Sequence, residues 1–110
     1  MKMKGVIMTT YFYGRNSDLD SFDRGSSIET QKSKAESYAN IKDLKIDVYI
    51  TEQISGTIPF ERRTKGFELF QKLKKNDHLI CSHLDRFGRN TLDLLQMVEK
   101  FKRKKISLHF

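Results

Sequence analysis

Cysteine is almost absent: Cys81 is the only one in the chain, which excludes an intramolecular disulfide and any cysteine-rich zinc site and points to a reducing interior. It falls inside the apolar run Leu79-Ile80-Cys81 and reads as core rather than as a reactive thiol. No stretch approaches the roughly 18 apolar residues of a membrane span, and the apolar part of the amino terminus, around Val6 and Ile7, is too short for a signal peptide. A cytoplasmic protein with no membrane span is expected. Histidine is scarce, and no cluster of Asp, His or Cys has metal-ligand spacing. Acidic residues are also in deficit, with 14 Asp and Glu against 21 Lys and Arg and a net charge of +7. That balance favours a polyanionic partner and leaves DNA, RNA and anionic membrane open.

What is present is a folded globular composition, 37% hydrophobic and 11% aromatic over 110 residues, enough for one domain. No internal repeat or low-complexity segment appears. Thr9 and Thr10 followed by Tyr11-Phe12-Tyr13 read as a buried strand ended by Gly14. A polar loop covers 15–25. Ser26 and Glu29 have capping-box spacing, and Ile28, Gln31, Ala35, Tyr38 and Ala39 recur at helical spacing, so a helix is expected over 27–40. Ile46, Val48 and Ile50 alternate as a second strand, followed by a loop over 52–63 that holds Gly56 and the only proline, Pro59. Phe67, Phe70 and Leu73, with Leu69 beside them, form the apolar stripe of a second helix stopped by Asn76 and Asp77. Residues 79–81 form a third strand. Asn90 or Thr91 caps a third helix with Asp93 in its first turn and Leu94, Leu95, Val98 and Phe101 facing the core. Alternation resumes over 106–110 as a fourth strand.

This β-α-β-α-β-α-β order with short connections predicts an α/β fold of three layers, a mostly parallel sheet of four to five strands with helices on both faces. The working site of such a sheet lies beyond the carboxyl ends of its strands. Arg15, Arg24, Arg62, Arg63, Arg86 and Arg89 fall in loops after predicted strands, whereas the lysines mostly sit on helices or their ends, where a solvated face is the ordinary reading. The arginine fork matches phosphate oxygens in pairs, so this segregation describes a phosphate pocket. Ser17, Ser21, Ser55 and Thr57 share those loops. His78, His83 and His109 are poorly placed to act as bases, so the chemistry would rest on arginine. On chemistry alone, Ser17 and Ser55 both remain open as nucleophile.

Three motifs resemble the serine recombinases, the family of resolvases, invertases and large serine integrases. Tyr13-Gly14-Arg15-Asn16-Ser17 is similar to the family's Tyr-x-Arg-x-Ser. Ser55-Gly56 followed by Arg62 and Arg63 is similar to its Ser-Gly with a downstream arginine. Leu84-Asp85-Arg86-Phe87-Gly88-Arg89-Asn90 is similar to Leu-Asp-Arg-Leu-Gly-Arg-Asn/Ser and is the most specific of the three. Ser27-Ile28-Glu29-Thr30-Gln31 also resembles the opening of the family's first helix. The likeness runs from Tyr11 onward, and the long stretch from Ser17 to Gln31 is closest to the large serine recombinases.

The resemblance implies a resolvase-like catalytic domain, with residues 9–110 as that domain and 1–8 as an extension outside it. It implies metal-independent attack of Ser17 on a DNA phosphodiester, without a cofactor, giving a 5′-phosphoserine link and a free 3′ hydroxyl. Arg15, Arg86 and Arg89 match the family's phosphate-binding arginines and Asp85 the carboxylate that orients them. Gln31 and Ser55 match supporting residues, though capping and turn roles account for them almost as well. Either Arg62 or Arg63 matches the remaining arginine, and Arg63 is preferred. Phe87 stands where leucine is usual, and Thr64 and Lys65 add length after the arginines. Family members continue into a dimerising helix and a DNA-binding domain, so the domain is expected to be carboxyl-terminally incomplete. The expected partners are double-stranded DNA and, in the full-length protein, further copies as a homodimer or tetramer. Two rival readings are a truncated, inactive recombinase remnant and a general basic α/β nucleic-acid-binding module.

Overall fold

The computed structural model describes residues 8–16, 27–55, 57–82 and 91–110. β1 spans Thr10–Asn16, α1 Ile28–Ile41, β2 Val48–Gln53, α2 Thr64–Lys72, β3 His78–Ile80, α3 Thr91–Arg103 and β4 Ser107–His109, with a short 3-10 turn at Phe60–Arg62. The four strands are ordered β2-β1-β3-β4, and every pairing among them is parallel. The second strand joins one side of the first and the third joins the other. The chain therefore switches direction across the sheet between β1 and β3, which is where open α/β sheets place their sites.

β1 is longer than its apolar run. Gly14 does not end it: Gly14, Arg15 and Asn16 continue in register with Thr51, Glu52 and Gln53. The reason lies on the α1 face. A Cβ on Gly14 would stand 2.8 Å from the Phe12 ring and 3.2 Å from the Gln31 amide oxygen, so the glycine makes room for Gln31 inside a regular strand. α1 is capped by Ser27, whose Oγ accepts from the Thr30 amide at 3.1 Å. The expected box began one residue earlier, at Ser26, which lies outside the described residues. Ala35 and Ala39 let α1 lie close to Phe12, Ile46 and Ile80.

The opposite face carries the larger core, built from Tyr13, Phe60, Leu69, Leu73, Leu79, Cys81, Met97, Phe101 and Ile106. Two sequence expectations are corrected here. Phe67 is 54% exposed while Leu69 is buried, because the inward stripe of α2 is Gly66, Leu69, Phe70 and Leu73 at i, i+3, i+4 and i+7. A glycine at its head hid it from an apolar count. On α3, Leu94 and Phe101 face the core as expected, but Leu95 and Val98 are 62% and 39% exposed and Met97 is buried in their place. Residues 94, 97 and 101 form one apolar stripe and 92, 95 and 98 another. Phe60 and Phe70, with ring centroids 6.1 and 5.3 Å from Phe101, select the first. Cys81 is buried, and burial pushes its thiol pKa up to about 12, as a core cysteine requires.

Two of the helix-to-strand turns close in the same way. After α1, the Leu44 amide donates to Ala39 O and the Asp43 amide to Asn40 O; after α3, Ile106 donates to Phe101 O and Lys105 to Lys102 O. Asp43 and Lys105 take the left-handed position of these turns, with φ of 59° and 63°. Among the described residues, no helix is long and apolar enough to cross a membrane.

Candidate active site

Arg15 and Arg63 meet the same loop from two directions. Arg15 is in β1 itself, not in the loop expected after it, and is 5% exposed. Its Nη1 donates to Ile54 O at 2.8 Å. Arg63 occupies the N-cap position of α2 and is fully buried. Its Nε donates to Ile58 O at 2.8 Å and its Nη1 to the Tyr13 hydroxyl at 3.2 Å. The segment between Ile54 and Ile58, which carries Ser55, is thus held at both ends by arginine. These donors satisfy loop carbonyls that strand pairing leaves behind.

Gln31 fixes the other side of Arg15. Its Oε1 accepts from the Arg15 amide at 3.2 Å, and its Nε2 donates to Arg15 O at 2.9 Å. Gln31 is fully buried, so the contact ties the end of β1 to the first turn of α1. Ser55 is exposed. Its Oγ lies 2.8 Å from Thr57 Oγ1 and accepts from the Thr57 amide at 3.2 Å, which is a turn role. Arg62 and Arg63, adjacent in sequence, are separated by the fold. The turn ending at Arg62 leaves that side chain exposed and buries the next. Ser17, Asp85, Arg86 and Arg89 lie outside the described residues. Ser17 follows Asn16, the last residue of β1, directly in the chain.

Two residues that sequence reasoning gave no site role stand beside these arginines. Tyr13 donates to Glu52 Oε2 at 2.6 Å while accepting from Arg63. Burial, chiefly, and the neighbouring carboxylate raise its pKa above the usual phenol range. Glu52 also accepts from the Lys65 and Gly66 amides at 3.0 and 3.2 Å. The sequence signal for Tyr13 was its place at the head of the Tyr-x-Arg-x-Ser match, and that for Glu52 was only its being the one carboxylate between Asp47 and Glu61.

His78 and His109 serve elsewhere, and His83 lies outside the described residues. His78 Nδ1 and His109 Nε2 lie 2.9 Å apart, and His109 Nδ1 is 2.7 Å from the Tyr38 hydroxyl, a chain that ties the edge strand β4 to β3 and α1. Burial is the largest cause lowering both histidine pKa values. Among the described residues, no three His, Cys, Asp or Glu side chains gather as metal ligands.

The family profile described as Resolvase, N terminal domain, matches residues 10–110. Serine recombinase PinR of Escherichia coli K12 is 34% identical over 99 residues, covering 90% of this chain and 47% of PinR. The transposon Tn2501 resolvase of Escherichia coli is 35% identical over 60 residues, covering 54% of this chain and 31% of the resolvase. The chain therefore spans about half the length, or less, of these curated relatives. Two solved structures share the fold. The N-terminal catalytic domain of TP901-1 integrase superposes with a TM-score of 0.75 at 24% identity, over 91% of this chain and 75% of that one. The C-terminal catalytic domain of ISC1926 TnpA, an IS607-like serine recombinase, does so with a TM-score of 0.70 at 19% identity, over 93% and 68%. With its parallel sheet, a buried arginine at the carboxyl end of its first strand and a second at the head of α2, the chain belongs to the resolvase family of serine recombinases and forms that family's catalytic-domain fold.

Proposed function

We propose that this chain holds the strand-cleavage chemistry of a site-specific DNA recombinase, with Ser17 as nucleophile. The observation that carries the reading is the buried, hydrogen-bonded Arg15, two residues before Ser17 at the end of β1 in a domain of this family. Ser17 Oγ would bond to the phosphorus of a DNA phosphodiester while the bond from phosphorus to the 3′ oxygen breaks. The proton lost by the serine is balanced by the one the 3′ hydroxyl gains. One phosphate ester replaces another, so rejoining by the reverse step needs no energy source, cofactor or metal. Arg15, Arg63, Arg86 and Arg89 would neutralise charge on the transferring phosphate, Asp85 would orient the arginines, and Arg62 would lie near the DNA backbone. Gln31 and Ser55 would support the loop ends. Catalysis of this kind rests on positioning and on fixed positive charge.

Double-stranded DNA is the proposed substrate, the cytoplasm the proposed location, and a homodimer or tetramer the proposed assembly of the whole protein. The test is covalent capture on the cognate DNA site in the presence of a chelator, with adducts resolved on a denaturing gel. The natural recombinase polypeptide is expected to form an adduct that Ser17→Ala abolishes. The isolated 110-residue chain is expected to cleave little or not at all. Adducts persisting in Ser17→Ala would sink the serine assignment, and strict dependence on a divalent metal would sink the mechanism.

A further inference from the structure

We infer that the two turns at the amino ends of β3 and β4 form a second contact for double-stranded DNA, bound through its phosphates by Lys74, Lys75, Lys102 and Lys105. The choice of DNA among polyanions rests on the recombinase reading, and the surface itself rests on how the two turns are joined.

The turns are built as one unit. The Asn76 amide, in the connection between α2 and β3, donates to Lys105 O at 2.9 Å, and the Ser107 amide donates to Asp77 O at 2.9 Å. Lys75 precedes the first of these donors and Lys105 holds its acceptor, so the parallel pairing of β3 with β4 brings residues 74–75 and 102–105 side by side. Lys74, Lys75, Lys102 and Lys105 are all exposed. Asp77, the one acidic residue in the two turns, is buried and faces inward, accepting from the Thr9 and Lys74 amides. Neighbouring cations are already engaged: Lys100 pairs with Glu61, Arg103 with Glu99, and Lys104 donates to Phe70 O. Among the described residues, no carboxylate pairs with any of the four exposed lysines.

Helix dipoles favour cations in the last helical turns, but two features go beyond that. Charge is uneven along the amino side of the sheet. The connection from α1 to β2 balances Lys42 and Lys45 with Asp43 and Asp47, so the excess gathers at β3 and β4. Lys105 also holds φ at 63°, a left-handed position in which glycine is more stable. Asp43 and Asn76 hold similar angles, but they are of the residue types that tolerate them. A lysine kept where its backbone is strained points to a use for its side chain. That use is electrostatic. Leu73, Phe101 and Ile106, the apolar residues of these turns, are buried, which leaves no apolar anchor for a membrane or for the core of a protein interface, and no ring on which single-stranded bases could stack. Lysines without such anchors suit the regular charge of a duplex backbone, held without regard to sequence. β1 rises about 20 Å from Thr10 to Asn16, with Arg15 near its far end. The two ends of the sheet face opposite ways, so the lysines take a different stretch of duplex from the one that lies on the arginines.

The test uses the 110-residue chain and a fluorescent duplex of random sequence, with binding followed by anisotropy as potassium chloride is raised. Each lysine that neutralises a phosphate adds about 0.9 to the steepness with which log affinity falls against log salt. A triple variant carrying Lys74→Gln, Lys75→Gln and Lys105→Gly is therefore expected to lower that steepness by about 2.7, while Lys42→Gln with Lys45→Gln leaves it as in wild type. Lys105→Gly alone is expected to lower it by about 0.9 with a melting temperature at or above wild type, a combination that a merely structural lysine would not give. In the natural recombinase polypeptide, the triple variant is expected to form the Ser17 adduct on a single short cognate duplex as wild type does. An unchanged salt dependence in the triple variant overturns the inference, as does an equal loss per charge from the Lys42 and Lys45 changes. Tighter binding to polyglutamate or to anionic vesicles than to the duplex overturns the choice of DNA, and a lost adduct in the triple variant would assign the lysines to the cleavage site instead. Adducts in Ser17→Ala would overturn the serine reading and leave the salt dependence to decide this one.

Discussion

At the amino ends of the strands, the last helical turns and the helix-to-strand connections carry Lys42, Lys45, Lys74, Lys75, Lys102 and Lys105, all exposed, whereas at the carboxyl ends Arg15 and Arg63 are buried. The two ends divide the work of charge differently. At the amino end, carboxylates hold the backbone: Asp77 accepts from the Thr9 and Lys74 amides at 3.0 and 2.9 Å, and Asp47 accepts from the Thr10 amide at 2.9 Å. The cations there stay in water beside helix carboxyl ends, which favour them. At the carboxyl end, cations hold the backbone, with Arg15 on Ile54 O and Arg63 on Ile58 O. An excess of positive charge is thus diffuse at one end and fixed in direction at the other. Only the fixed charge suits a transferring phosphate.

If the difference is real, truncating a buried anchor must cost far more than altering a turn cation. The largest effect is expected for Arg63→Ala, which empties a buried volume and leaves Ile58 O and the Tyr13 hydroxyl without their donor. A loss of about 3 kcal/mol in urea unfolding is expected, and a loss below about 1 kcal/mol would show that the guanidinium is not an anchor. Next comes the amino-end counterpart. Asp77→Ala is expected to cost about 2 kcal/mol in the same measurement, because two backbone amides lose their acceptor. A change near zero would mean that water replaces the carboxylate and that the amino end is not built on it. The smallest effect has the opposite sign. Lys105→Gly is expected to stabilise by about 1 kcal/mol, since Lys105 holds φ at 63° where a side chain is strained. A destabilisation would show that the Lys105 side chain contributes more than its backbone costs.

The elements were legible in the sequence wherever one signal acted alone. β-Branched and aromatic residues marked β1, a hydroxyl before an apolar period marked α1, and alternating elements with short connections implied the parallel sheet. Expectation failed where two signals competed or one was silent. The inward stripe of α2 begins on Gly66, which carries no side chain to count. α3 has two apolar stripes of similar strength, and only Phe60 and Phe70, distant in sequence, choose between them. Arg62 and Arg63 are the same residue type at adjacent positions, so their fates diverge only when the 3-10 turn at Phe60–Arg62 turns one outward and the other inward. Glu52 gave almost no signal, because its partners on β1 and α2 become neighbours only after the sheet has formed.

By itself, then, the sequence determined the order of elements, the segregation of arginine from lysine and the motif in which Arg15 precedes Ser17, since these depend on residue type and local spacing. The tertiary structure decided which arginine is buried, what holds it and which apolar stripe of α3 faces inward. Those outcomes depend on contacts between segments far apart in the chain, whose energies exist only once the layers are packed together.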